Sequence, residues 1–112
     1  MNNCIFCKII SKEAPAKIVF ENKDILAFVP KEQVSKGHML VVPRVHFENI
    51  FDIDKNILEK LIAVSKDLSE QLAKENNAIG VNLLHASGKD AQQSVFHFHL
   101  HVVPRYENDG LD

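Results

Sequence analysis

The sequence is poor in residues that interrupt or cross-link a chain, with 4 glycines, 4 prolines and 2 cysteines in 112 residues. Beside 46% hydrophobic and 25% charged residues, that scarcity excludes collagen-like, low-complexity and disordered chains and describes one that buries a core. Two cysteines cannot build a disulfide framework, and a single domain of this length buries roughly two thirds of its unfolded surface without one. Neither sign of charge dominates. Thirteen Lys and Arg against 15 Asp and Glu leave a net of -2, no electrostatic footprint for nucleic acid. No apolar run of about eighteen residues occurs, so no membrane span is expected. The first ten residues place Asn2 and Asn3 where a secretory signal carries basic residues, and Lys8 breaks the apolar stretch; a cytoplasmic protein with reduced thiols is expected. What is abundant is histidine. There are six, three of them within five positions.

Lys17 to Glu21 and Ile25 to Val29 are β-rich runs separated by the polar turn Asn22-Lys23-Asp24, which predicts a hairpin. His38 to Val42 follows Gly37 as a third strand, stopped by Pro43. From about Asp54 to Asn76 the apolar period changes from 2 to 3.6, with Ile57, Leu58, Leu61, Ile62, Val64, Leu68 and Leu72 on one stripe: a helix of about six turns, capped by Asp52 or Asp54. Ile79 to His85 and Val95 to Val103 are the last two strands, joined by a polar connection. A short helical turn is expected near residues 5 to 12. The order predicts an α+β fold, a five-stranded mostly antiparallel sheet with one long helix and a short N-terminal helix.

The final strand carries His97-Phe98-His99-Leu100-His101-Val102-Val103. Alternation places His97, His99 and His101 on one face, successive imidazoles roughly 7 Å apart, and Phe96, Phe98, Leu100 and Val102 on the other. Imidazole titrates near neutrality, and clustered imidazoles oppose one another's protonation, so one can stay a neutral nucleophile at pH 7 while others donate hydrogen bonds to an anion. That outlines a phosphoryl- or nucleotidyl-transfer site. Two neighbouring imidazoles could instead chelate one ion.

In this run the sequence resembles the histidine triad family, whose signature His-φ-His-φ-His-φ-φ (φ apolar) is met at every position. Ile5 to Ile10, Pro15 to Glu21, Gly37-His38 through Pro43 and His46, and Gln93-Ser94-Val95 extend the likeness to the purine-nucleoside phosphoramidase branch of bacterial type over nearly the whole chain. The resemblance implies one histidine triad domain over residues 1–112. It implies that His99 attacks the α-phosphorus of a nucleoside 5′-phosphoramidate or related conjugate to form a covalent nucleotidyl-histidine, with His101 and His38 holding phosphate oxygens. Asn82, Gln93 and Ser94 would line the phosphate pocket, and Phe6 and Phe28 would contact the nucleotide, a purine nucleotide being favoured. Where many members carry a ribose-binding aspartate, this chain has Pro30, followed by Lys31 and Glu32. Either Glu32 compensates, or phosphate and base hold the substrate. A homodimer formed through a helix and an edge strand is also implied.

Cys4 and Cys7 form a C-x-x-C pair, which taken alone reads as metal ligands, redox groups or apolar thiols in a turn. The resemblance supplies His46 and His97 as further ligands of a structural zinc, with no organic cofactor. His85 reads as a strand-end surface residue. Three functions follow in order: the covalent hydrolase, a purine-nucleotide-binding regulatory or scaffold protein with little turnover, and a zinc-dependent hydrolase with a catalytic metal on His97 and His99.

Overall fold

The structure is a computed structural model and describes residues 3–111; Met1, Asn2 and Asp112, the first two part of the amino-terminal stretch without basic residues, lie outside the described residues. In chain order the elements are α1 (Ile5–Ile10), β1 (Lys17–Glu21), β2 (Ile25–Val29), β3 (Met39–Pro43), α2 (Lys55–Glu75), β4 (Gly80–Leu84), a single 3-10 turn (Lys89–Ala91) and β5 (Leu100–Arg105). The five strands form one sheet in the order β1-β2-β3-β5-β4, antiparallel at every pairing. This is the predicted α+β architecture. β5, last in the chain, inserts between β3 and β4.

The side chain of Asn22 turns the first hairpin by accepting the amides of Asp24 and Ile25. Asp54, not Asp52, caps α2: its carboxylate accepts the Ile57 amide, while Asp52 accepts those of Glu48 and Asn49 and closes the preceding turn. The stripe on α2 covers one face of the sheet, packing Leu61, Val64, Leu68 and Leu72 against Ile25, Ala27, Met39, Val41, Phe98, Leu100 and Val102. On the other face α1 brings Phe6 and Ile9 against Leu26, Phe28, Leu40 and Val42. β2 and β3 are thus covered on both sides, which is why they read as continuous apolar runs without alternation. Gly37 turns the chain into β3 at φ +95°, where a Cβ would lie 2.9 Å from Leu72 Cδ2; only glycine fits both conditions.

The last strand starts later than the sequence pattern predicts. Ladder pairing begins at Leu100, and residues 95–97 form a bend. Phe98, Leu100 and Val102 face α2 as expected, but Phe96 is half exposed and outside that core, because the bend precedes the pleat that would have aimed it inward. The same bend separates His97 from the other two histidines.

Candidate active site and metal centre

His99 and His101 lie on the α1 side of the sheet with ring centroids 5.2 Å apart, closer than the spacing expected of an extended strand. β3 contributes from next door. Leu40 pairs with His101, and His38, just before β3, points its Nε2 at His101 Nδ1, 3.0 Å away. The Val34 amide donates to His38 Nδ1 at 3.2 Å, so the proton of His38 sits on Nε2 and is donated to His101 Nδ1. His101 in turn keeps its proton on Nε2. His99 Nδ1 lies 2.8 Å from the His97 carbonyl, which can only accept; His99 Nδ1 therefore carries the hydrogen and Nε2 is bare. Backbone groups assign the tautomers of His38 and His99, and His38 passes its assignment on to His101.

These rings are neutral at pH 7. Burial, then the charges of neighbouring His99, His38 and His85, brings His101 down to about 4. Burial also lowers His38, and it lowers His99 against the opposing pull of the His97 carbonyl. A bare, neutral Nε2 on His99 and an Nε2–H on His101 set a lone pair capable of nucleophilic attack beside a hydrogen-bond donor. Both rings line a cavity of about 370 Å³ together with Val34, His38, Leu84, His85 and Ser94.

The other expected site residues distribute unevenly. Ser94 is exposed at the rim, with its hydroxyl available to a ligand. Gln93 also lines the cavity, but its amide is committed to the backbone: Oε1 accepts from Gly88 N, and Nε2 donates to the Glu48 and Val95 carbonyls. It braces the loop instead of presenting donors to a phosphate. Asn82 does not reach the cavity. It is exposed two residues further from the triad along β4, accepting from Arg105 Nη1 at 3.1 Å, and Ala86 lines the wall instead.

Phe6 and Phe28 line a second cavity of about 530 Å³, with Ile9, Ala16, Pro30 and Lys31. Phe6 joins the two cavities, since its ring meets both Phe28 and His99 edge-on at 5.4 and 5.1 Å. Pro30 makes its part of that wall apolar, and exposed Glu32 lines neither cavity.

His85 was expected on the surface. Instead it is part of the site: half-buried, lining the histidine cavity and stacked on Phe98 at 4.2 Å. Its sequence signal was only an imidazole after the apolar pair Leu83-Leu84; finding its place requires the register that sets Leu84 opposite His101.

At the other end of the run, Cys4, Cys7, His46 and His97 bring one ligand atom each within 4.8 Å of one another. The separations are 3.3 Å for Cys4 Sγ to His97 Nδ1, 3.3 and 3.4 Å from Cys7 Sγ to His46 and His97 Nδ1, and 3.1 Å between the two Nδ1 atoms. Tetrahedral bonds of zinc length require about 3.3 to 3.8 Å between ligand atoms, so the set is close to that size before any ion enters. The chemistry agrees. His97 Nε2–H donates to the Pro43 carbonyl at 2.9 Å, which leaves Nδ1 bare and aimed at the sulfurs. These four residues can hold a metal ion. With Nδ1 in this set and Nε2 on Pro43, His97 has no nitrogen to share with His99, which argues against a catalytic metal between them.

A family model described as HIT domain matches residues 11–108. The Bacillus subtilis protein named Protein hit is 40% identical over 110 residues, covering 97% of this chain and 76% of its own length. Adenylylsulfatase HINT3 of Arabidopsis thaliana is 31% identical over 110 residues, 98% of this chain and 56% of that protein. Among solved structures, a Zn-bound histidine triad family protein from Mycobacterium smegmatis superposes with a TM-score of 0.94 at 34% identity, over 98% of this chain and 80% of that one.

Proposed function

This chain belongs to the HIT domain family, and from that premise we propose that it hydrolyses nucleoside 5′-phosphoramidates or related nucleotide conjugates, as a single domain over residues 1–112 of the phosphoramidase-like branch. The observation that carries the reading is the set of tautomers fixed by hydrogen bonding, which leaves His99 Nε2 bare beside the Nε2–H of His101. In the proposed reaction the His99 Nε2 lone pair attacks the α-phosphorus. The phosphorus–nitrogen bond breaks, its electron pair stays on the departing amine, and the amine takes a proton from water at the open cavity. A second water then attacks the nucleotidyl-histidine and passes its proton to the hydroxide left by the first, and the electron pair of the phosphorus–Nε2 bond returns to His99. His101 and Ser94 donate to the phosphate oxygens, and His38 keeps His101 in the donating tautomer.

The apolar cavity of Phe6 and Phe28 adjoins His99 and suits a purine base. Its proline wall supports a site that holds base and phosphate more firmly than ribose. We assign the Cys4, Cys7, His46 and His97 set to a structural zinc ion, supported by the donor chemistry and by the Zn-bound relative. Bound there, it would tie α1 to the start of the triad and leave no open position for a substrate. A homodimer joined through α2 and the β4 edge is supported by the exposure of Ile79, Leu83 and Leu84 along that edge. Among the described residues no helix is long and apolar enough to cross a membrane, and a cytoplasmic location fits thiols kept reduced for a metal.

The test uses an adenosine 5′-phosphoramidate with a fluorescent amine as leaving group. Wild type should release the amine, and rapid quenching followed by intact mass measurement should reveal the nucleotidyl adduct. His99→Asn should lose at least about a thousandfold in kcat and show no adduct. Turnover surviving that change would remove His99 from its role. Binding without turnover of any leaving group would replace hydrolysis by nucleotide-dependent regulation.

A further inference from the structure

β4 ends at Leu84, opposite His101, and the ladder between β4 and β5 stops there. The next acceptor along that edge is the backbone carbonyl of His99 itself. A side chain takes over where the strand gives out. His85 Nδ1 lies 2.9 Å from the His99 carbonyl oxygen, so it carries the hydrogen and donates it. The bare Nε2 accepts from the hydroxyl of Ser87, whose oxygen accepts the Ile50 amide at 2.9 Å. The ring also stacks on Phe98, which is 2% exposed in the core under α2. Both ring nitrogens are engaged by the protein. Although it lines the cavity, His85 therefore has no free nitrogen with which to move a proton to or from a ligand.

We propose that His85 is a positioning residue for His99, an inference that rests on the reading of His99 as nucleophile. His99 is held at two points. The His97 carbonyl fixes its ring through Nδ1, and His85 fixes its own carbonyl and hence the peptide from which the ring projects. His99 precedes the first ladder residue of β5, so without the second anchor that peptide can rotate and swing Nε2 off the line to phosphorus. Misplacing a reacting atom by about 1 Å can cost a hundredfold in rate without weakening substrate binding.

The test compares His85→Leu, which removes both nitrogens and keeps apolar bulk, with His85→Asn, which restores an N–H near the place of Nδ1. With the fluorogenic adenosine phosphoramidate, His85→Leu should lower kcat about tenfold or more with KM within about twofold, and His85→Asn should recover most of the loss. A second readout does not use turnover. Ring 15N shifts of His99, identified by their disappearance in His99→Asn, should report one Nδ1–H tautomer in wild type and His85→Asn and a mixture in His85→Leu. If His85→Leu does not fold, Ser87→Ala, which releases Nε2, should show both effects at about threefold in kcat. Unchanged kcat and an unchanged tautomer, or equal losses in the Leu and Asn variants, would overturn the proposal. If wild type turns nothing over, the nucleophile reading fails, and the tautomer comparison still decides whether His85 orders the His99 ring.

Discussion

His97 and His99 stand two residues apart in one run, and the backbone has put them in opposite tautomers. At His97 the Pro43 carbonyl takes the proton of Nε2 and leaves Nδ1 bare among two sulfurs and a second imidazole. At His99 the His97 carbonyl takes the proton of Nδ1 and leaves Nε2 bare beside an open cavity. One end of the run is a closed set of converging ligand atoms. The other leaves an unshared lone pair on His99 facing an open cavity. Residue type sets the repertoire of a histidine, and the carbonyl within reach selects from it.

The comparison breaks most visibly at the closed end. Replacing Cys4 and Cys7 by serine should abolish metal binding and lower stability by roughly 3 to 5 kcal/mol, a drop of more than about 10 °C in the melting midpoint measured on metal-loaded protein. Elemental analysis should find about one zinc per wild-type chain and none in the double variant, as four ligands imply. Finding no metal in protein purified under reducing conditions would discard the set as a metal centre.

A smaller effect belongs to the open end and depends on pH. Burial and neighbouring imidazoles hold His101 at about 4, below its ordinary 6.5, and burial also lowers His38. A histidine depressed in the folded state contributes stability that is complete above about pH 6.5 and is lost as pH falls toward 4, because the unfolded chain binds the proton first. Urea midpoints should therefore fall over that window. His101→Gln should flatten the slope by about 2 kcal/mol across it. An unchanged slope in that variant would assign the acid sensitivity elsewhere.

The smallest effect sharpens the contrast at the rim. Gln92 lines the open cavity at φ +72°, a left-handed conformation that disfavours a side chain. Gln92→Gly should stabilise the protein by about 0.5 kcal/mol, since relief of strain is partly offset by the entropy of the glycine. Its melting midpoint should rise by a few degrees, and a fall would show that the Gln92 side chain contributes packing that outweighs the strain.

Much of the fold was legible because its cues are local. The 3.6-residue stripe found α2, the asparagine turn found the first hairpin, and alternation aimed Phe98, Leu100 and Val102 at the helix. The triad and the cysteine pair marked the chemistry, and the family resemblance joined Cys4, Cys7, His46 and His97 into the ligand set that the fold brings together. Where reading and structure part, each residue has its own physical reason. Alternation carried through residues that bend aims Phe96 inward, where the structure leaves it half exposed, and the resemblance implies a phosphate-pocket role for Asn82, which on β4 pairs with Arg105. Gln93 reaches the cavity but commits its amide to the loop, and His85 reads as a strand-end surface residue until β4 is laid beside β5.

By itself, then, the sequence determined which side chains face the helix, where the turns fall and that six imidazoles are available, because periodicity and turn chemistry act within a few residues. The His99 tautomer is itself a local matter, set by the His97 carbonyl two residues back, but the bare nitrogens of His97, His38 and His85 were decided by the tertiary structure. For those three the choice depends on a backbone group that the fold brings up: the Pro43 carbonyl for His97, the Val34 amide for His38, and, through the β4 register, the His99 carbonyl for His85. A hydrogen bond is made to an atom in space, and no local pattern in the chain specifies which distant atom will be there.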